Sequence, residues 1–96
     1  MDAYPFDTDK VISLCRKYDA NMIGMFGSMA RGESTPTSDI DLLIAFSKPK
    51  SLLEIVRLER ELSALLGRKV DLLTKDAISP YLRDKIMREL KVLYET

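Results

Sequence analysis

Residues 39–74 constrain the fold more than any other stretch of this chain. They read as strand, helix and strand. From Asp39 to Phe46, Ile40, Leu42, Ile44 and Phe46 alternate with residues of the other face, as a strand requires. Ser47-Lys-Pro-Lys50 breaks that strand. Ser51 and Glu54 form a capping-box pattern that opens a helix over 51–66. Ile55, Leu58, Leu62 and Leu65 recur along it at spacings of three and four, the signature of a buried helix face. Gly67 suits its C-terminal cap, and Lys69 to Thr74 is the next strand. Two strands joined by a full helix form a βαβ unit, so they are expected to run parallel.

The flanking segments are simpler. Thr8-Asp9 is expected to cap a first helix at about 8–18, with Val11, Leu14 and Cys15 on one face. Asn21 to Phe26 reads as a short strand closed by Gly27-Ser28. Met29 to Gly32 reads as the start of a helical turn, and Glu33 to Ser38 as an exposed turn. Ser79-Pro80 opens a last helix running to about Leu93, with Leu82, Ile86, Leu90 and Leu93 on one side. The expected class is α/β (α+β), a single domain over residues 1–96. Its sheet is small and mixed, the first two strands antiparallel and the second and third parallel, with helices packed on one face. A short link between the first two strands makes them antiparallel neighbours. Gly27-Ser28 is then expected to lie beside Asp39-Ile-Asp41.

Composition removes several function classes. Ninety-six residues make room for one core and one site. With 15 basic and 15 acidic residues, nothing in the net charge points to nucleic acid or a membrane surface. No apolar run approaches the roughly 20 residues of a membrane span. Met1-Asp-Ala-Tyr-Pro5 lacks the basic start and apolar stretch of a secretory signal. Cys15 is alone, so no internal disulfide forms and a cytoplasmic setting is expected. The chain has no His, so a metal site must be built from oxygen ligands, which suits Mg²⁺ or Mn²⁺ better than Zn²⁺.

The chemistry concentrates at Gly27-Ser28, ten residues, then Asp39-Ile40-Asp41. On a strand Asp39 and Asp41 share a face, about 6.6 Å apart at roughly 3.3 Å per residue. Both can reach one cation or one oxygen bridging two cations. Asp71, on the strand expected to lie parallel, can face the same side. Three converging carboxylates repel: two unit charges at 4 Å cost on the order of 4 kcal/mol at an effective dielectric of 20. Such a cluster persists where a cation or a shared proton relieves it. Gly27 permits φ > 0 or close approach of the backbone to a ligand. Ser28 offers a hydroxyl and an N–H to a phosphate, and Arg31 a guanidinium fork. Each piece alone is ordinary; an isolated Asp-x-Asp is commonly a strand start and a solvated charge, and an Arg here commonly pairs with Glu33.

Together, Phe26-Gly-Ser-Met-Ala-Arg-Gly-Glu33 and Ser38-Asp-Ile-Asp-Leu-Leu43 resemble the signature of the DNA polymerase β-like nucleotidyltransferase superfamily. The chain is most similar to the minimal nucleotidyltransferases (MNT), the small partners of HEPN-domain proteins in prokaryotic toxin–antitoxin pairs. The resemblance covers nearly the whole chain. It implies that Asp39 and Asp41 are metal ligands and that Asp71 is a third carboxylate, ligating metal and helping to activate the attacking hydroxyl. It further implies that Gly27 and Ser28 hold the β- and γ-phosphates, with Arg31 and Ser38 in the nucleotide-binding set. The expected substrate is ATP with Mg²⁺, two ions in all, or Mn²⁺ in its place. The expected reaction is transfer of AMP to a tyrosine of a HEPN toxin, which silences it. A chain this small is expected to take its acceptor from another protein. Tyr81, Met87 and Tyr94 widen the apolar stripe of the last helix; covering the sheet is their expected role, and docking a partner is the alternative. Two other readings share the motif: a non-catalytic module that neutralises its partner by contact, and a small-molecule nucleotidyltransferase of the aminoglycoside-modifying kind. Nucleic-acid polymerisation is disfavoured, because Arg57, Arg60, Arg68 and Lys69 form no basic tract.

Overall fold

The computed structural model describes Tyr4, residues 6–33, Thr35 and residues 37–96. The N-terminal pentapeptide and the turn read at 33–38 include Met1, Asp2, Ala3, Pro5, Ser34 and Pro36, which lie outside the described residues. The elements are α1 (Thr8–Lys17), β1 (Ala20–Phe26), α2 (Gly27–Arg31), β2 (Ile40–Phe46), α3 (Leu52–Leu66), β3 (Val70–Thr74), α4 (Pro80–Glu89) and β4 (Lys91–Glu95). A 3₁₀ turn at Lys75–Ala77 joins β3 to α4. The sheet has the order β3-β2-β1-β4. β1 pairs antiparallel with β2, and β2 pairs parallel with β3, as the connection lengths require.

The caps follow local chemistry. The Ser51 hydroxyl accepts from Glu54 N–H, and the Glu54 carboxylate accepts from Ser51 N–H, completing the capping box. Asp7, rather than Thr8 or Asp9, caps α1: its carboxylate accepts from Asp9 and Lys10 N–H at 3.0 and 3.3 Å. A side-chain acceptor placed one residue before the helix reaches those free donors; Thr8 is already inside it.

The main core lies between one face of the sheet and the helices α1 and α3. Val11 and Cys15 of α1 and Leu58 and Leu62 of α3 pack against Ile23, Met25, Ile40, Leu42, Ile44 and Val70. Helices on one face are not the whole arrangement. Ile78 and Ile86, from the far side, bury a second cluster with Met22 and Leu43. α4 therefore packs on the face to which Asp41 also belongs, since residues 41 and 43 share a side of the strand.

The chain's end departs from expectation. The last helix stops at Glu89, not near Leu93, because Leu90 turns extended (φ −61°, ψ 128°). Lys91–Glu95 then forms a fourth strand, antiparallel to β1, with Tyr94 opposite Ile23. Leu93 and Tyr94 cover the main core from this strand, and the Arg16 guanidinium lies 5.3 Å from the Tyr94 ring centroid. Tyr81 is 95% exposed, and Met87 is exposed too.

Cys15 is fully buried, and burial pushes its thiol up to about 12. The thiolate is the nucleophile in alkylation and disulfide exchange. Cys15 is thus expected to stay unmodified by a thiol-reactive dye at pH 8 and to react at once in denaturant. Fast labelling of the folded chain would contradict its burial. Its raised folded value means the thiol's contribution to stability is complete below the ordinary cysteine range and is lost as pH rises towards 12.

Candidate active site

The antiparallel hairpin-like pairing of β1 and β2 sets Phe26 opposite Asp41. The chain turns at Gly27 directly beside that carboxylate. A Cβ built at Gly27 would collide with Asp41 Oδ2 and lie 3.1 Å from Cγ. Gly27 also holds φ at +75°, a left-handed conformation open mainly to glycine. Ser28 follows in the first turn of α2, half-buried, and its carbonyl accepts from Glu33 N–H at 2.9 Å.

The parallel register places Asp71 directly opposite Asp41. Three further hydrogen bonds fix that register. Ile40 N–H donates to the Lys69 carbonyl at 3.0 Å. On the outer edge of β3, Val70 N–H donates to the Ser63 hydroxyl at 3.0 Å and Leu72 N–H to the Glu59 carboxylate at 2.8 Å. α3 side chains thus satisfy the edge donors on either side of Asp71. Neither Glu59 nor Ser63 belongs to the motif. Their signal in the sequence is slight, two polar residues four apart.

Asp39 precedes β2. Arg68 fastens the approach to it, with Nε donating to the Ser38 carbonyl at 3.1 Å and the guanidinium also reaching the Thr35 carbonyl at 2.7 Å. The Ser38 hydroxyl is taken up inside this loop, accepting from Thr35 N–H at 2.7 Å. Arg31 is likewise engaged: Nε meets Glu33 at 2.7 Å and a second nitrogen meets Glu89 at 3.0 Å. Arg31 and Gly27 both contact Glu89, which the sequence motif does not contain.

The Asp41 carboxyl is held above the usual range. Loss of solvent is the main cause, followed by the charges of Asp71 and Asp39 and a hydrogen bond with Asp71. Asp39 and Asp71 are about half exposed, and Lys69 Nζ stands 3.8 Å from each. Among the described residues no three of His, Cys, Asp and Glu form a ready metal cage. The donor set nonetheless suits a hard cation: it is all oxygen, it converges at Asp41 and Asp71, and its excess negative charge already draws an ammonium. A cavity of about 560 Å³ at the other end of β2, lined by Phe46, Ser47, Lys48 and Lys75 among others, contains none of these aspartates. The candidate site is instead an open acidic surface walled by the Gly27 turn. Among the described residues no helix is long and apolar enough to cross a membrane.

The chain matches known proteins along most of its length. It is 46% identical over 80 residues to a candidate protein adenylyltransferase of Methanocaldococcus jannaschii, covering 83% of this chain and 86% of that protein. It is 39% identical over 77 residues to the protein adenylyltransferase MntA of Thermococcus cleftensis, covering 80% and 78%. It superposes with a TM-score of 0.85 and 26% identity on a chain of a toxin–antitoxin crystal structure with AMP-PNP, covering 95% of this chain and 75% of that one. The family model for the nucleotidyltransferase domain matches residues 11–93, the span that carries the Gly27 turn and all three aspartates, and the chain belongs to that family of nucleotidyltransferase enzymes.

Proposed function

We propose that this chain is a protein adenylyltransferase that moves AMP from ATP to a tyrosine hydroxyl of a HEPN-type toxin, and that it acts as the antitoxin of that pair in the cytoplasm. The carrying observation is Asp41 set opposite Asp71 and against the Gly27 turn. Metal ligands and phosphate seat are thereby neighbours, as in-line phosphoryl chemistry needs. The names of the relatives support adenylyl transfer to protein, and a structural neighbour comes from a toxin–antitoxin crystal structure with AMP-PNP. The HEPN partner rests on the motif resemblance, and exposed Tyr81, Leu52 and Leu53 offer apolar area for docking.

Asp39, Asp41 and Asp71 would hold Mg²⁺, which when bound neutralises phosphate charge and acidifies the acceptor hydroxyl. The chain's own residues do the rest. The bare Gly27 backbone lets the triphosphate come close, and Ser28 donates to its oxygens. In this reading Asp71 takes the proton as the acceptor oxygen bonds to the α-phosphorus and the bond to pyrophosphate breaks. The three carboxylates on this open surface leave room for a protein acceptor.

The test is intact-mass analysis of a HEPN-domain partner co-expressed with this chain. A gain of one or more AMP units on the partner is expected, absent when Asp39 and Asp41 are both Asn. An unmodified partner that is nevertheless held in complex and silenced would replace this reading with neutralisation by contact.

A further inference from the structure

Glu89 closes α4, and its side chain is only 18% exposed. Its two carboxylate oxygens are divided between two donors of the candidate site. Oε1 accepts from the Arg31 guanidinium at 3.0 Å, and Oε2 accepts from Gly27 N–H at a long 3.4 Å. Packing around it is fixed. Ile86, one turn earlier, is buried in the second core cluster. Leu90, the next residue, lies directly over Gly24, its side chain filling the space beside that glycine. The carboxylate is therefore carried to the turn by a tertiary contact between α4 and the start of α2.

To an amide and a guanidinium, a carboxylate and a phosphate offer the same chemistry: anionic oxygens that accept two hydrogen bonds. Arg31 already has a second carboxylate in Glu33. One cation thus faces two anions, and a triphosphate arriving at the turn meets net negative charge and a donor already in use. A tie that served only to hold α4 in place would not need to engage the backbone donor of the Gly27 turn.

We infer that Glu89 is an internal surrogate for phosphate: it occupies the Gly27 amide and Arg31 while nucleotide is absent, and yields them when the triphosphate binds. Nucleotide affinity is then set by the exchange of one anion for another. The inference rests on the reading of the Gly27-Ser28 turn as the triphosphate seat. It makes Glu89 a positioning residue that tunes substrate binding without joining the chemistry.

Glu89→Gln tests it, since Gln keeps the shape and an oxygen acceptor for Gly27 but loses the charge. The readout is the affinity of the full chain for AMP-PNP with Mg²⁺, by calorimetry at low and high salt. The variant is expected to bind about tenfold tighter than the wild type, the scale of one charge-assisted hydrogen bond no longer competed for. That advantage should shrink as salt rises. Equal or weaker binding by the variant overturns the exchange. Absence of wild-type binding overturns the triphosphate seat itself, and the exchange with it. Should the variant fail to fold, the wild type answers alone. Saturating AMP-PNP is expected to shift both the Glu89 carboxyl carbon and the Gly27 amide in NMR spectra. If the Ser28 amide moves while those two signals stay in place, the Glu89–Gly27 bond persists and the exchange is refuted.

Discussion

Asp41→Asn is expected to reduce adenylyl transfer by at least about a hundredfold, the scale of losing one preorganised electrostatic contact in an active site. The same change is expected to make the metal-free chain harder to unfold at neutral pH. The two effects have one origin. Asp41 is pressed between the Gly27 turn and Asp71, and its ionised form is disfavoured by lost solvent and by the neighbouring charges. A carboxyl whose folded value is raised contributes its stability in full below the ordinary carboxylate range. That contribution is lost as pH climbs through the raised value. Above that value the wild type carries the cost of an ionised Asp41, whereas Asn cannot ionise. The stability gap should close as pH falls below the ordinary carboxylate range. Mg²⁺ should raise the melting temperature of the wild type and leave that of Asp41→Asn unmoved. Asp39→Asn should give a smaller stability change, because Asp39 already has Lys69 at 3.8 Å. Label transfer from α-labelled ATP and calorimetry at several pH values provide the measurements. Superposed melting curves of wild type and Asp41→Asn across the whole pH range would remove the electrostatic account of the site.

The elements that carry the aspartates were legible because their patterns are bounded. Alternation from Ile40 to Phe46, the capping box at Ser51 and Gly67 each mark an edge, so type and limits came together. The nearness of Gly27 to Asp41 followed from the short link between β1 and β2. The register of Asp71 did not follow. A slip of one residue in β3 would send that side chain to the opposite face. Side-chain contacts from Glu59 and Ser63 of α3, which no strand pattern announces, prevent the slip. β4 was missed for a local reason. Leu90 and Leu93 continue the helical spacing of Leu82 and Ile86 with no Gly or Pro to interrupt it. Only the pairing with β1 draws Lys91–Glu95 into a strand. Glu89 and Arg68 were invisible for the same tertiary reason: Glu89 meets Gly27 across 62 positions and Arg68 meets Ser38 across 30.

Gly27→Ala is expected to be as damaging as loss of a carboxylate, and Gly32 shows why. Both glycines hold left-handed backbone, at φ +75° and +73°. An alanine at either therefore incurs about 1–2 kcal/mol of backbone strain. At Gly32 a Cβ would meet nothing within 4 Å, so strain is the whole effect. At Gly27 the new methyl would run into Asp41 Oδ2, with Cγ at 3.1 Å. Either the turn or the carboxylate must shift, and a displacement of about 1 Å at a reacting centre can cost a hundredfold in rate. Gly27→Ala is thus expected to unfold more easily than Gly32→Ala and to lose transfer, which Gly32→Ala largely keeps. The excess cost should belong to the pair of residues and not to the turn. In an Asp41→Ala background the colliding atoms are gone, and the stability cost of Gly27→Ala should fall to that of Gly32→Ala. Such coupling is what residues in direct contact show in a double-mutant cycle. Equal costs of Gly27→Ala in the two backgrounds would mean that backbone strain alone demands glycine here, and that the contact with Asp41 does not shape the turn.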